Sequence, residues 1–262
     1  EGRPPRKDIV ELIVEPEQVN LAGAHRQQQL LVTARFADGQ LLDVTHEAAL
    51  SVDNSQVVNL AGTALAGRGD GAATLLVSYA GQTQRVPVVV KDFDRYPPIH
   101  FVGDVMPVFT KLGCNSGGCH GKQSGQGGFK LSVFGFDPQA DYAAILKEGR
   151  GRRVFPASFD RSLLLTKPLA IVPHGGGRRL QQDSHNYEVL KQWLLQGMPW
   201  GDESASLLVR IEVLPAARVV EFNGEQQLQV TAVYHDGTRR DVTAASIYSS
   251  NASQVAVVDE LG

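Results

Sequence analysis

The chain has 262 residues, a formal net charge of −3, 42% hydrophobic and 20% charged residues. That apolar share supports buried cores and excludes wholesale disorder, and no apolar run approaches the ~20 residues that span a bilayer. The mild negative charge argues against a dedicated nucleic-acid binder. Charge alternates in blocks: residues 1–97 carry 9 Lys+Arg and 12 Asp+Glu, residues 98–201 carry 12 and 7, and residues 202–262 carry 4 and 9. Three units are predicted, and the two cysteines, Cys114 and Cys119, are too few for a disulfide framework.

The first unit reads as β-structure. In Leu30–Phe36, Leu30, Val32, Ala34 and Phe36 alternate with Leu31, Thr33 and Arg35, the period of a half-buried strand. Asp38-Gly39 follows as a hairpin signal, Asp43-Val44-Thr45 opens the return strand, and Ala73–Tyr79 and Gln84–Val90 are strand-like again. The same signature recurs near the other end. Gln28–Thr45 and Gln226–Thr243 match at a constant offset of 198, with 11 of 18 positions identical. Spaced short strands with turn signals predict a sandwich. The pattern resembles bacterial Ig-like modules of the group 2 type over residues 8–91 and, incompletely, 208–262. The second copy stops before the equivalents of the first copy's last strands, so it is expected to be truncated at its C-terminus. His25 and His46 have no histidine at the repeated positions and read as solvated or turn residues.

The central segment, 98–201, changes character. Phe101, Val102, Val105, Val108, Phe109 and Leu112 have helical spacing, and Tyr187, Leu190, Trp193 and Leu194 form a stripe on a second predicted helix, Ser184–Gln196, with Gly197 ending it. Between them lies Gly- and Pro-rich chain containing Cys114-Asn115-Ser116-Gly117-Gly118-Cys119-His120. The usual haem-attachment signature is C-x-x-C-H, in which two thiols bond the porphyrin edge and the histidine binds iron. Here the spacer is two residues longer. A plain Cys114–Cys119 disulfide, or a zinc site of both cysteines, His120 and another histidine, are the competing readings.

The layout resembles class I cytochromes c, and with "GDVMPVFTKLGCNSGGCHG" and "SLLLTKPLAIVPHGGGRRL" the segment resembles the planctomycete cytochrome c domain. The resemblance implies a mainly α domain over residues 98–201 between two all-β Ig-like sandwiches. It implies haem c attached covalently to Cys114 and Cys119, with His120 as proximal iron ligand. His174, in Val172-Pro173-His174-Gly175-Gly176-Gly177, is the expected distal ligand, and Met198 is its competitor. Arg152, Arg153, Arg178 and Arg179 are candidate partners of the haem propionates, and Phe129, Phe134 and Phe136 candidate haem walls. The expected function is electron transfer rather than catalysis, outside the cytoplasm, with an acidic redox partner drawn to the basic central unit. The alternatives are a scaffold or carbohydrate- or protein-binding protein with structural haem, and a haem enzyme or gas sensor with open iron.

Overall fold

The computed structural model describes residues 8–202 and 208–262. The first unit contains ten strands: β1 (Ile9–Glu15), β2 (Val19–Ala22), β3 (Gln27–Gln29), β4 (Leu31–Phe36), β5 (Leu41–Asp43), β6 (Ala49–Val52), β7 (Val58–Ala61), β8 (Ala64–Gly67), β9 (Gly71–Tyr79) and β10 (Gln82–Lys91). They form sheets of order β1-β4-β5, β2-β10-β9-β6 and β3-β8-β7. Alternation decides which face is inside. On β9, Ala73, Leu75, Val77 and Tyr79 are buried, and on β10, Val86, Val88 and Val90. They pack with Leu12, Val14, Leu30, Val32 and Ala34 into one core drawn from the first unit. The Asp38-Gly39 turn joins β4 to β5 as the sequence predicts, with Gly39 at φ +85°.

The central unit holds four short helices: α1 (Met106–Lys111), α2 (Pro138–Leu146), α3 (Leu163–Thr166) and α4 (His185–Leu195). The stripe predicted on the last helix is buried, with Leu190, Trp193 and Leu194 inside. The Ser184 hydroxyl caps its start by accepting from the Tyr187 N–H at 3.2 Å. Phe101 is fully buried among Tyr142, Trp193 and Trp200, with ring centres 5.0, 5.4 and 5.6 Å away. The helix predicted over 101–112 is only half realised. Residues 101–105 form a π-helical turn, and regular α-helix begins at Met106 with Pro107 in its first turn, where a missing N–H costs nothing.

The third unit is one antiparallel sheet, β11 (Leu208–Leu214), β12 (Gln229–Tyr234) and β13 (Arg239–Asp241), in the order β11-β12-β13. It copies β1-β4-β5. Leu12 pairs with Ala34, and Ile211 pairs with Ala232, the alanine one repeat offset on, so Ile211 is the counterpart of Leu12 on the ladder although it lies 199 residues after it. The linker expected over 201–207 lies largely outside the described residues.

Two expectations about fold class are corrected. The protein is mostly β with few helices, 29% strand and 19% helical, and the described residues show no mainly α cytochrome-like domain. The physical reason is the glycine content of 113–177. Gly113, Gly125, Gly127, Gly128, Gly135, Gly149, Gly151 and Gly177 all adopt positive φ, which ends or forbids helix, so most of this chain is turns. The third unit is also not a sandwich: its described residues supply one three-stranded sheet.

The two repeats touch each other through their repeated residues. The Asp241 carboxylate accepts from the Gln28 side chain at 3.0 Å and the Gln29 backbone N–H at 2.9 Å. Reciprocally, the Asp43 carboxylate accepts from the Gln226 side chain at 2.8 Å and the Gln227 backbone N–H. His46, expected in a solvated turn, adds a ring contact to the Gln227 side chain at 3.1 Å.

Candidate functional site

The candidate site is built by the turn that follows α1. The Cys114 N–H donates to the Phe109 carbonyl at 2.8 Å, carrying the helical bonding one step past the helix end. The chain then folds back on itself. The Cys119 N–H donates to the Ser116 carbonyl, the His120 N–H to the Cys114 carbonyl and the Gly121 N–H to the Ser116 carbonyl, each at 3.0 Å. The longer spacer is thereby absorbed in a closed loop that brings the end of Cys114 back to His120. Gly121 is the closing piece: a Cβ there would lie 2.2 Å from the Asn115 carbonyl oxygen. Asn115 is fully buried at the centre, its Nδ2 donating to the Thr110 hydroxyl at 2.9 Å and its Oδ1 unpartnered among the described residues.

Both cysteines are free thiols, so the disulfide alternative is not formed. Burial, and to a lesser degree the neighbouring Cys119, push the Cys114 thiol up to about 11 against a smaller downward pull from Arg179. Among the described residues, no three His, Cys, Asp or Glu side chains are grouped to hold a metal ion, so the zinc alternative has no geometric support.

The sequence paired His120 with His174, and the fold brings them together. Their ring centres are 6.4 Å apart with planes 15° from parallel, too far for ring-on-ring contact. Each ring is oriented by a backbone carbonyl. His120 Nδ1 lies 3.0 Å from the Phe129 carbonyl oxygen and His174 Nδ1 lies 2.8 Å from that of Gly177. An acceptor at Nδ1 selects the tautomer with its proton there and leaves the Nε2 lone pair free, the arrangement that orients metal-binding histidines. Burial holds His120 below the usual histidine range, and His174, Arg153 and Lys167 push the same way against the Phe129 carbonyl. The imidazole is therefore neutral near pH 7. Gly176 makes room for the His174 ring, since a Cβ there would lie 3.1 Å from Cε1.

Neither methionine is beside the histidine pair. Met106 is buried beneath Gly135, where a Cβ would meet its Cε at 2.7 Å. Met198 packs on the central core, and its carbonyl accepts from the Tyr142 hydroxyl at 2.6 Å.

The four arginines separate. Arg153 is buried and donates to the carbonyls of Ala144 (2.7 Å), Glu148 (2.8 Å) and Gly128 (2.6 Å), with its guanidinium 4.4 Å from the centre of the Phe129 ring. Phe129 in turn packs on His120, ring centres 4.6 Å apart. Arg153 thus braces the segment whose carbonyl orients His120. Arg152 donates to the Gly127 carbonyl at 3.2 Å and Arg179 to the Gly176 carbonyl at 2.8 Å, bracing the two loops that carry the orienting carbonyls. Arg178 is exposed. Phe134 and Phe136 are exposed as well, so Phe129 alone of the three aromatics lies against a candidate ligand. The Phe129 and Gly177 carbonyls went unread in the sequence because a backbone acceptor leaves no side-chain signature.

No protein-family model matches this chain, and no curated protein matches it. Solved structures similar to part of it include domains 5–6 of the S-layer protein SbsC, at 15% identity over 36% of this chain and 48% of that one, with a TM-score of 0.28. A longer SbsC structure, rSbsC(31-844), is similar at 15% identity over 36% of this chain and 14% of that one, with a TM-score of 0.29. SbsC domains 4 and 5 are similar at 20% identity over 33% and 54%, with a TM-score of 0.23. The aligned part spans about half or less of the first two of these. Among the described residues, no helix is long and apolar enough to cross a membrane.

Proposed function

We propose that the central unit carries haem c, bonded through Cys114 and Cys119 and held at the iron by His120 and His174, and that it transfers electrons. The observation that carries this reading is the histidine pair: near-parallel rings 6.4 Å apart, each with Nδ1 on a backbone carbonyl. With Nδ1 of each ring taken up by a carbonyl, the Nε2 atoms of both would be available to one metal ion. His120 and His174 would be the two protein groups that hold the iron, so the absence of a three-residue cluster among the described residues does not count against the reading. The donor set fits the group.

When bound, the haem supplies one-electron redox chemistry. The chain's own residues do the rest. The closed Cys114–His120 loop presents two thiols and an imidazole from one short stretch. The Phe129 and Gly177 carbonyls hold the two imidazoles in one tautomer, and Arg153 holds Phe129 in place. Two imidazoles leave no position for oxygen or peroxide, which favours electron transfer over an enzyme or gas sensor. The family resemblance places thioether haem attachment outside the cytoplasm, so the reading includes an extracytoplasmic site. The excess of 12 Lys+Arg over 7 Asp+Glu in the central unit suits an acidic redox partner.

The test is the full chain produced with a haem-attachment system. Haem should stay on the chain in denaturing electrophoresis and give a pyridine haemochrome spectrum, and the ferric protein should be low-spin. The reduced protein should ignore carbon monoxide, whereas His174→Ala should bind it. Haem that extracts fully into acid acetone overturns attachment. Carbon monoxide uptake by the unsubstituted protein overturns the histidine pair.

A further inference from the structure

The contact between the first and third units has a symmetry that a single chain does not require. Gln28 and Gln29 reach Asp241, and Gln226 and Gln227 reach Asp43. Adding the repeat offset of 198 to Gln28, Gln29 and Asp43 gives Gln226, Gln227 and Asp241, so the second contact is the first with its two sides exchanged. Each aspartate is prepared in the same way. Asp43 Oδ1 accepts from the Thr45 N–H at 2.7 Å and Asp241 Oδ1 from the Thr243 N–H at 2.9 Å, which leaves Oδ2 of both for the opposite unit. A glutamine side chain and the next backbone N–H then fill Oδ2 on both sides. This is the pattern of an isologous interface, in which residue i meets j and j meets i, built here between two repeats of one polypeptide.

We propose that this surface recognises any module bearing the same Gln-Gln and Asp-Val-Thr pair, and that its partner outside the chain is the first unit of a second copy of this protein. The chemistry supports the exchange. The first unit holds both halves of the clasp, Gln28-Gln29 as donors and Asp43 as acceptor, so two first units offer each other the bonds that the third unit now supplies. Within one chain the third unit wins, because a tether presents it at an effective concentration of roughly millimolar. The unsubstituted chain is therefore a monomer in dilute solution, and the face becomes available when the third unit lets go.

The experiment uses the full chain with the third unit's half removed, Gln226→Ala, Gln227→Pro and Asp241→Asn together, proline being the residue that takes away the backbone N–H Asp43 accepts. Asparagine keeps an oxygen for the Thr243 N–H and turns an amide donor toward Gln28 and Gln29, so it repels what aspartate attracts. Sedimentation velocity should show a monomer–dimer equilibrium that shifts toward dimer with concentration. Adding Asp43→Asn to the same chain should return it to monomer. A folded triple variant that stays monomeric up to millimolar concentration overturns the proposal, as does a dimer that survives Asp43→Asn. If circular dichroism shows the triple variant unfolded, the single Asp241→Asn chain is read by the same two criteria.

Discussion

The first and third units carry one signature through one set of turns and finish in different surroundings. In both, an aspartate side chain tightens the hairpin: Asp38 accepts from the Gln40 N–H at 3.1 Å and Asp236 from the Thr238 N–H at 2.8 Å. In both, a buried threonine hydroxyl accepts from a strand N–H, Thr45 from Val32 at 2.9 Å and Thr243 from Val230 at 2.8 Å. Burial does not follow. Leu12 is 2% exposed and its counterpart Ile211 58%; Val57 is 5% exposed and Val255 81%. In the first unit β9 and β10 lie over that face, and among the described residues of the third unit no strands do so. Turn chemistry is a local property of the repeat, whereas burial is supplied by a second layer from elsewhere in the chain.

The sharpest way to break this comparison is to truncate matched apolar residues. Leu12→Ala should cost about 2–5 kcal/mol, as for a buried leucine, while Ile211→Ala should stay within about 0.5 kcal/mol, as for an exposed position. Chemical denaturation of both variants measures the gap, and equal losses would show that Ile211 is covered in solution. The buried threonines should instead behave alike. Thr45→Val and Thr243→Val each leave a strand N–H without its acceptor and should each cost about 1–3 kcal/mol, read by the same denaturation. A loss at Thr45 only would mean that the third unit's hairpin is held differently.

The hairpin glycines come next. Gly39 (φ +85°) and Gly237 (φ +81°) have nothing within 4 Å of an added Cβ, so alanine meets backbone strain alone. Each change to alanine should cost about 1 kcal/mol, equally in both units, with thermal melting as the check. The smallest effect lies outside the repeat. With its thiol raised to about 11, Cys114 should resist alkylation at neutral pH. Its rate should climb about tenfold per pH unit until the pH nears that value, which mass spectrometry of the labelled chain would follow. A rate already level at pH 8 would mean that the thiol is not buried as described.

What was legible in the sequence was what local chemistry controls. The Asp-Gly turns, the alternation of Leu30–Phe36 and the Ser184-capped helix were visible because a few adjacent residues settle each of them. The helix over 101–112 was half visible: its apolar spacing survives, but the π-helical turn before Met106 has no signature in residue type. The central unit as a mainly α domain was misread, because glycines that read as flexible punctuation set most of the backbone there. In the candidate site, Cys114, Cys119 and His120 stood out by type and spacing and His174 by the family resemblance, and the fold brings the two histidine rings within 6.4 Å. The role of Arg153 could not, since its partners are three carbonyls from separate turns. The clasp of Asp43 and Asp241 was hidden for a similar reason: the repeat was plain, but which repeated residues face one another is a property of the folded pair.

The bracing of Arg153 has an electrostatic consequence. Its guanidinium is satisfied by neutral carbonyls and carries its charge into the interior, with no carboxylate hydrogen-bonded to it among the described residues. Arginine does not lose its proton in the physiological range. A fixed positive potential therefore acts on the His120 ring at every working pH and works against its protonation. That contribution is one that acidification does not switch off.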